Sequence, residues 1–573
     1  MSRDDSSRAP GIRPGVPRHT VQARLPDGRL FDAPPGAPVG DILTAAGHHD
    51  AVAAVLAGRL RELQTPIERD ADLTPITLAD GDGTRIYRRS LALLLVTAAA
   101  DLFPDASVFI EHSAPTLGAY FCRVRGRANF SRDELTRIEQ RMRELVQADA
   151  PIIKTKVTRG EASAIFEARG ETDKMRLLAH RAQESLVLYE LAGRREYFQG
   201  YMLPSAGRLT LFALHGHSPG FVLQYPHQSS PTRLTPFEPY PRLFAAFAEA
   251  GEWLDRLHIR GAGALNDAIL DGRLQEVSLV AEALHEARIA RIAGDILARQ
   301  EEVRVVLIAG PSSSGKTTFS KRLAVQLLAS GRRPFAIALD DYFLDRDQTP
   351  RDERGELDFE ALEALDVALI NQQLLALMAG QATTLPRYSF LTGTRAEAAS
   401  VTLEPRDIIL LEGIHGLNPK LLPDVPASSV YRIYVSAITQ LNLDRHNRVS
   451  ISDTRLLRRI VRDAATRGYS AAETLRRWDS VQRGERLHIF PFTENSDAIF
   501  NSSLAHELSV LRPLAEPLLL QVRPDSAVYG EANRLLSFLQ WFRPVPSDAV
   551  PDNSILREFV GGSILENFQP RLD

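Results

Sequence analysis

Two glycines with four residues between them, the second followed at once by lysine and threonine, make a cradle for phosphate, and Gly310, Gly315, Lys316 and Thr317 stand in that pattern. Pro311, Ser312, Ser313 and Ser314 fill the gap between the glycines. In such a loop the backbone N–H groups point inward at an anion, the lysine neutralises the outer phosphates and the threonine hydroxyl faces magnesium. An apolar strand at 303–309 runs into the loop. A helical pattern opening on Lys316, Thr317 and Thr318 runs out of it, aiming its positive N-terminus at the same anion. Strand before and helix after predict a nucleoside triphosphate site that also takes Mg²⁺.

Two carboxylates share the next feature, a position at the end of an apolar strand. Asp340 follows the strand-like run 334–339, and Glu412 follows four apolar residues at 408–411. In a parallel sheet the carboxyl ends of the strands line the ligand crevice. Asp340 is placed there to take a proton from an attacking hydroxyl, and Glu412 to steer magnesium through its water shell, together with Thr317. The alternative for either acid is a helix cap. Further on, Arg455, Arg458, Arg459 and Arg462 recur three or four apart, with Arg467 shortly after. One helical face therefore carries guanidinium groups, which predicts an arginine-bearing lid that excludes water and neutralises transferring charge; a solvated charged face is the other reading.

Positioning these groups needs repeated strand–loop–helix units, so the fold class is α/β, a doubly wound parallel sheet. The chain is 573 residues long, too long for one core. Its expected divisions are a disordered tail at 1–18, a β-rich unit at 19–82, a mixed unit at 83–228, a helical connector at 229–300, the phosphate-binding unit at 301–520 and a tail at 521–573. The net charge of -4 gives no general attraction to nucleic acid or anionic membrane. A single cysteine, Cys122, excludes a disulfide framework and fits a reducing cytoplasm, the expected location. The opening residues lack an apolar signal core, and the apolar run 91–103 is too short to span a bilayer and predicts a buried helix; no membrane partner is expected. The amphipathic stretch before residue 300 packs on the phosphate-binding unit or, alternatively, forms a homo-oligomer.

Four motifs in order, GPSSSGKT at 310–317, LDDYF at 339–343, LEGIHG at 411–416 and DTRLLRRIVRD at 453–463, resemble the uridine kinase and phosphoribulokinase family of P-loop kinases. The resemblance covers about 303–510. It implies that Asp340 is the catalytic base, that Phe343 lies beside the sugar, and that Phe359, Tyr388 and Phe390 line the acceptor pocket. It also implies that Arg459, Arg462 and Arg467 close over the transferring group, Arg459 and Arg462 reaching the acceptor and Arg467 the ATP. Three positions depart from the pattern: Gly393 where the family has a base-reading histidine, Arg477 where it has glutamine, and Tyr469 where the lid ends in arginine. Contacts that read a base by hydrogen bonds are sharply selective, so these departures leave the acceptor open between a pyrimidine nucleoside 5′-OH and another hydroxyl, such as that of a sugar phosphate. The fused tail 551–563 also looks like that of bacterial fusion kinases.

The front of the chain carries a second resemblance. Strand, Asp27-Gly28 turn, strand and a helix near Val39 resemble the TGS module of threonyl-tRNA synthetases, a β-grasp fold. Residues 85–207 continue in the same order as that enzyme's second additional domain, an α+β unit, with a capping box at Ser131 and Glu134. The resemblance implies a four-ligand metal site, but its positions are occupied by Arg89, Leu93, Phe198 and Met202, which offer none of its ligands. No zinc is therefore expected. His112 and His215 are expected to be satisfied core or surface histidines. The synthetase-like order also supports an alternative in which the front half binds RNA and the P-loop half is an RNA-responsive ATPase.

Overall fold

The computed structural model describes residues 18–114, 118–237, 240–352, 355–390, 392–439 and 441–569; of the tail expected at 1–18, all but Arg18 lies outside them. At the front, Asp27 and Gly28 turn a hairpin in which Val21 faces Ala33 and Arg24 faces Leu30, and Gly28 takes the positive φ of 86° that the turn requires. The five-stranded sheet runs Leu30–Ala33, Val21–Arg24, Ala71–Ile76, Ala53–Leu56, Arg59–Arg61. Strands Val21–Arg24 and Ala71–Ile76, neighbours in the middle of the sheet order, pair in parallel, and helix Val39–Ala45 buries Val39, Ile42 and Leu43. This is a β-grasp arrangement.

The apolar run read at 91–103 is the buried side of helix Gly81–Leu102, with Leu91 to Leu95 almost wholly covered. Helix Arg132–Gln147 starts at the expected capping box, Ser131 Oγ accepting from Glu134 N and the Glu134 carboxylate from Ser131 N. These helices pack on an antiparallel sheet of Ala213–His217, Gly220–Gln224, Ala119–Arg125 and Ser107–Ala114. Leu93, Phe198 and Met202 lie in this apolar core, and Arg89 Nη1 donates to the Tyr201 carbonyl. Gly200 makes room for that guanidinium, since a Cβ there meets Arg89 Cζ at 2.7 Å. Among the described residues, no group of three or more His, Cys, Asp or Glu is placed to hold a metal. His215 Nε2 lies 2.9 Å from Gln224 Oε1. His112 departs from expectation: it is buried, neither ring nitrogen has a hydrogen-bond partner, and its ring is stacked 3.8 Å from Phe247. Burial in that apolar sandwich pushes its pKa well below the ordinary 6.5, so it sits there neutral.

In the C-terminal half the sheet is parallel throughout, in the order Arg333–Ala338, Asp407–Gly413, Val305–Ala309, Val430–Ser436, Ala498–Asn501. Strand 305–309 is central and every residue in it is buried, which is why it reads as an unbroken apolar run. The switch in strand order beside it opens the crevice in which ligands bind. The connector helix Leu274–Ala298 buries Val277, Ile289 and Ile292 in a core shared with Phe319 and Leu323 of the helix that follows the phosphate loop. Ala162, Phe166, Leu177 and Leu188 from the front half belong to that same core, as do Ile555, Leu556 and Phe559 from the tail. No helix among the described residues is long and apolar enough to cross a membrane.

Candidate active site

The phosphate loop is built by close backbone approach. A Cβ on Gly310 meets the Val435 carbonyl at 2.0 Å, and Gly315 and Ser313 hold φ of 87° and 57°. Helix Lys316–Ala329 then starts without a side-chain cap of its own. The hydroxyls of Ser313 and Ser314 are buried with no hydrogen-bond partner, and Lys316 Nζ is parked on the Pro311 carbonyl at 3.2 Å. Uncommitted donors around a curled backbone fit an oxyanion ligand.

Thr317 Oγ1 donates to Glu412 Oε1 at 3.0 Å, bringing together the two residues expected at magnesium. Burial pushes the Glu412 carboxyl up to about 7, with Lys316 opposing and Glu558 adding to the rise. Asp340 sits in the short helical turn Leu339–Tyr342 after strand 333–338. Its side chain is open to the cleft, yet the surrounding protein displaces enough water to raise its carboxyl above the ordinary 3.8; Lys316 and, more weakly, Arg467 pull it back down.

One acidic residue in the cleft carries no motif of its own. Glu360 is held at about 7 by burial first, then by the Glu485 charge, and it also feels Arg459, Lys316 and Asp340. It follows Phe359 directly, and helix Ala471–His488 approaches it so closely that a Cβ on Gly484 meets Glu360 Cβ at 2.4 Å. A glycine in mid-helix is its only trace in the sequence.

The arginine helix, Ile451–Thr466, divides its side chains between two tasks. Arg455 and Arg458 are buried: Arg455 donates to the Ser312 carbonyl at 2.9 Å and pairs with Glu485, while Arg458 pairs with Glu507 and donates to the Ser502 carbonyl at 2.9 Å. Glu485 in turn accepts from Ser312 N at 3.1 Å. These two arginines therefore brace the phosphate loop from behind and belong to no open lid. Arg459, Arg462 and Arg467 face the other way and converge on the buried Asp463, at 3.2, 2.7 and 3.7 Å. Arg459 also donates to Ser312 Oγ at 2.9 Å. The three predicted lid arginines are thus gathered by one carboxylate beside the loop.

On the acceptor side, Phe343, Phe359, Tyr388 and Phe390 form one aromatic group, with ring centroids 5.1–5.7 Å apart. Phe343 and Tyr388 are buried, while Phe390 is 55% exposed and leaves an aromatic face open. The departures from the kinase pattern are filled. Arg346 lies where a side chain at 393 would go, 2.7 Å from a Cβ built on Gly393, and its Nη2 donates to the Phe390 carbonyl at 2.7 Å. Arg477 stacks over Tyr469 at 4.7 Å.

Residues 305–509 match the family model described as Phosphoribulokinase / Uridine kinase family. The chain is 35% identical over 200 residues to the threonine–tRNA ligase of Burkholderia orbicola (strain MC0-3), a match covering 34% of this chain and 31% of the ligase. The chain thus spans about a third of the length of the curated relatives it matches. Among solved structures, a possible uridine kinase from Bacillus stearothermophilus is 28% identical, covering 26% of this chain and 79% of that one, with a TM-score of 0.23. The D-glycerate 3-kinase from Cryptococcus neoformans is 16% identical, covering 44% and 87%, with a TM-score of 0.21. Residues 305–509 form a phosphoribulokinase and uridine kinase family domain with the P-loop kinase fold, joined to a front half similar to threonine–tRNA ligases.

Proposed function

We propose that this protein is an ATP-dependent kinase that phosphorylates a primary hydroxyl, the 5′-OH of a pyrimidine nucleoside. The observation that carries the reading is the meeting, in one cleft, of a phosphate loop, a carboxylate within reach of its lysine, and an open aromatic face. The acceptor oxygen forms a bond to the terminal phosphorus as the bond to the leaving ADP oxygen breaks, and Asp340 receives the acceptor's proton. Lys316 and the loop amides hold the triphosphate, with Gly310 to Gly315 giving the curvature and Thr318 N a further donor in the first turn of the helix. Arg459, Arg462 and Arg467 neutralise the charge that spreads over the transferring group. Thr317 and Glu412 are the residues to hold Mg²⁺, Glu412 through water, and the ion supplies charge neutralisation on the phosphate oxygens. Phe343, Phe359, Tyr388 and Phe390 receive a flat ring, and the Glu360 carboxylate is placed to accept hydrogen bonds from the sugar's other hydroxyls. The chain's division into a front half and a kinase half follows the same reading.

A second acceptor class is favoured by one specific feature. Arg346, standing in the space left at Gly393, brings a positive charge to the rim of the aromatic group, which suits an anionic acceptor such as a sugar phosphate. Measuring ADP release from purified protein against nucleosides and sugar phosphates decides between them. Turnover confined to sugar phosphates moves the assignment to that class; no turnover with any alcohol, while nucleotide still binds, removes the kinase reading.

The raised carboxyls make the site pH-sensitive. Glu412, pushed to about 7, must lose its proton to serve the metal, and Asp340 must lose its own to act as a base. The kcat/KM for ATP therefore rises with pH through about 7 and levels above it. In the ligand-free chain the sign on stability is opposite. Glu412 and Glu360 are both raised from the ordinary 4.5 to about 7, so the folded state binds more protons and loses stability as pH rises across that window. Rate profiles and apo melting curves from pH 5 to 8.5 check both limbs; an activity limb below pH 6 refutes the role given to Glu412.

A further inference from the structure

The C-terminal segment, singled out in the sequence without a task, is docked directly on the phosphate loop. Ser554, Ile555, Leu556 and Phe559 are buried. Ile555 is pressed against Gly315, where an added Cβ meets Ile555 Cγ2 at 2.5 Å. Phe559 lies under the Arg458 guanidinium at 4.9 Å. Lys321, one turn into the loop's helix, donates to the carbonyls of both Leu565 and Glu566 at 2.7 Å. At the centre of this contact the Glu558 carboxylate accepts a hydrogen bond from Thr318 N at 3.0 Å.

That N–H belongs to the first turn of helix 316–329, whose opening N–H groups have no partner within the helix and are the donors a phosphate loop offers its anion. A carboxylate and a phosphate ask for the same donor and the same positive helix end. Two like charges that close also repel each other. The nucleotide mechanism assigns no role to Glu558. We infer that segment 551–566 is an autoinhibitory strap whose Glu558 occupies phosphate-binding capacity in the ligand-free protein, so that nucleotide entry displaces it. This rests on the nucleotide reading of residues 310–317. Because the two occupants exclude each other, nucleotide loosens the strap to the same degree that the strap weakens nucleotide binding.

The test is Mg-ATP binding to the full chain by calorimetry, in the parent and in Glu558→Gln, Glu558→Ala and Lys316→Ala. Removing the competing charge tightens binding about tenfold in the two Glu558 variants, the equivalent of one charge-assisted hydrogen bond. A residue serving only to hold the fold together gives weaker binding and a lower melting temperature. Hydrogen exchange in the parent chain supplies an independent reading without substitution: amides at 555–560 exchange faster when Mg-ATP is present. Equal or weaker binding in Glu558→Gln, or greater protection of 555–560 with nucleotide, overturns the strap while Lys316→Ala still reports a working nucleotide site. Absence of binding in the parent chain overturns the nucleotide reading and the strap with it.

Discussion

Asp340→Asn lowers turnover by about a hundredfold to ten-thousandfold, the range a positioned general base contributes, and leaves Mg-ATP affinity nearly unchanged. The substitution keeps the shape of the side chain and removes only its ability to take a proton. Loss of water around the Asp340 carboxyl raises it above its ordinary 3.8, and the Lys316 charge opposes that rise. Asn carries no charge, and Lys316, freed of a competing partner, holds the triphosphate at least as well. Stability separates this outcome from misfolding. Asp340 is surrounded but not ion-paired, and replacing a carboxylate whose folded pKa is raised leaves the fold as stable or slightly more so at pH 8. The check is a pair of measurements on one preparation: kcat with the best acceptor, and nucleotide Kd by calorimetry. Turnover within threefold of the parent takes Asp340 out of the base role; a large loss of ATP affinity makes it part of the nucleotide site instead.

How much of this was legible before folding depends on how far apart in the chain the cooperating residues lie. The phosphate loop is local: eight successive residues and the strand and helix beside them set its geometry. Asp340 and Glu412 are each announced by the apolar strand they end, and the Thr317 to Glu412 contact confirms the register of two strands far apart in the chain. The arginine helix shows the limit. Spacing puts Arg455, Arg458, Arg459 and Arg462 on one broad face, but whether a given guanidinium points into the core or toward the cleft is fixed by Glu485 and Glu507, residues on other helices. Glu360 is illegible for the same reason, since its cleft position follows from a close approach by Gly484, far along the chain. Gly393 reads as the loss of a contact; the structure shows its space taken by Arg346, a residue that no local pattern connects to it.

The largest effect on stability falls far from the cleft, on Lys174. Its ammonium is buried, pairs with the fully buried Glu196, stacks over Phe166 at 4.9 Å and donates to His446 Nδ1 at 3.0 Å. Glu196 also takes Arg169 and Arg194, each at 2.7 Å. His446 is neutral, its pKa lowered to about 4 chiefly by burial and then by Lys174, so with Nδ1 accepting, Nε2–H is the donor to the Val108 carbonyl at 3.2 Å. The cluster therefore joins the front half to the segment 442–448 of the kinase half, beside the Arg445 to Asp173 pair at 2.6 Å. Lys174→Met strips one partner from a buried carboxylate and leaves His446 Nδ1 without its donor, and costs about 3–5 kcal/mol in urea unfolding. The Lys174 pKa is raised above the ordinary 10.5, so its contribution persists through neutral pH and fades only on strong alkalinisation. Segment 442–448 leads directly into the helix whose Arg455 and Arg458 brace the phosphate loop. A loosened anchor is accordingly read as weaker ATP binding as well as lower stability. A Lys174→Met loss under about 1 kcal/mol, well short of a broken buried pair, with ATP affinity intact, takes the Lys174 cluster out of the anchoring role.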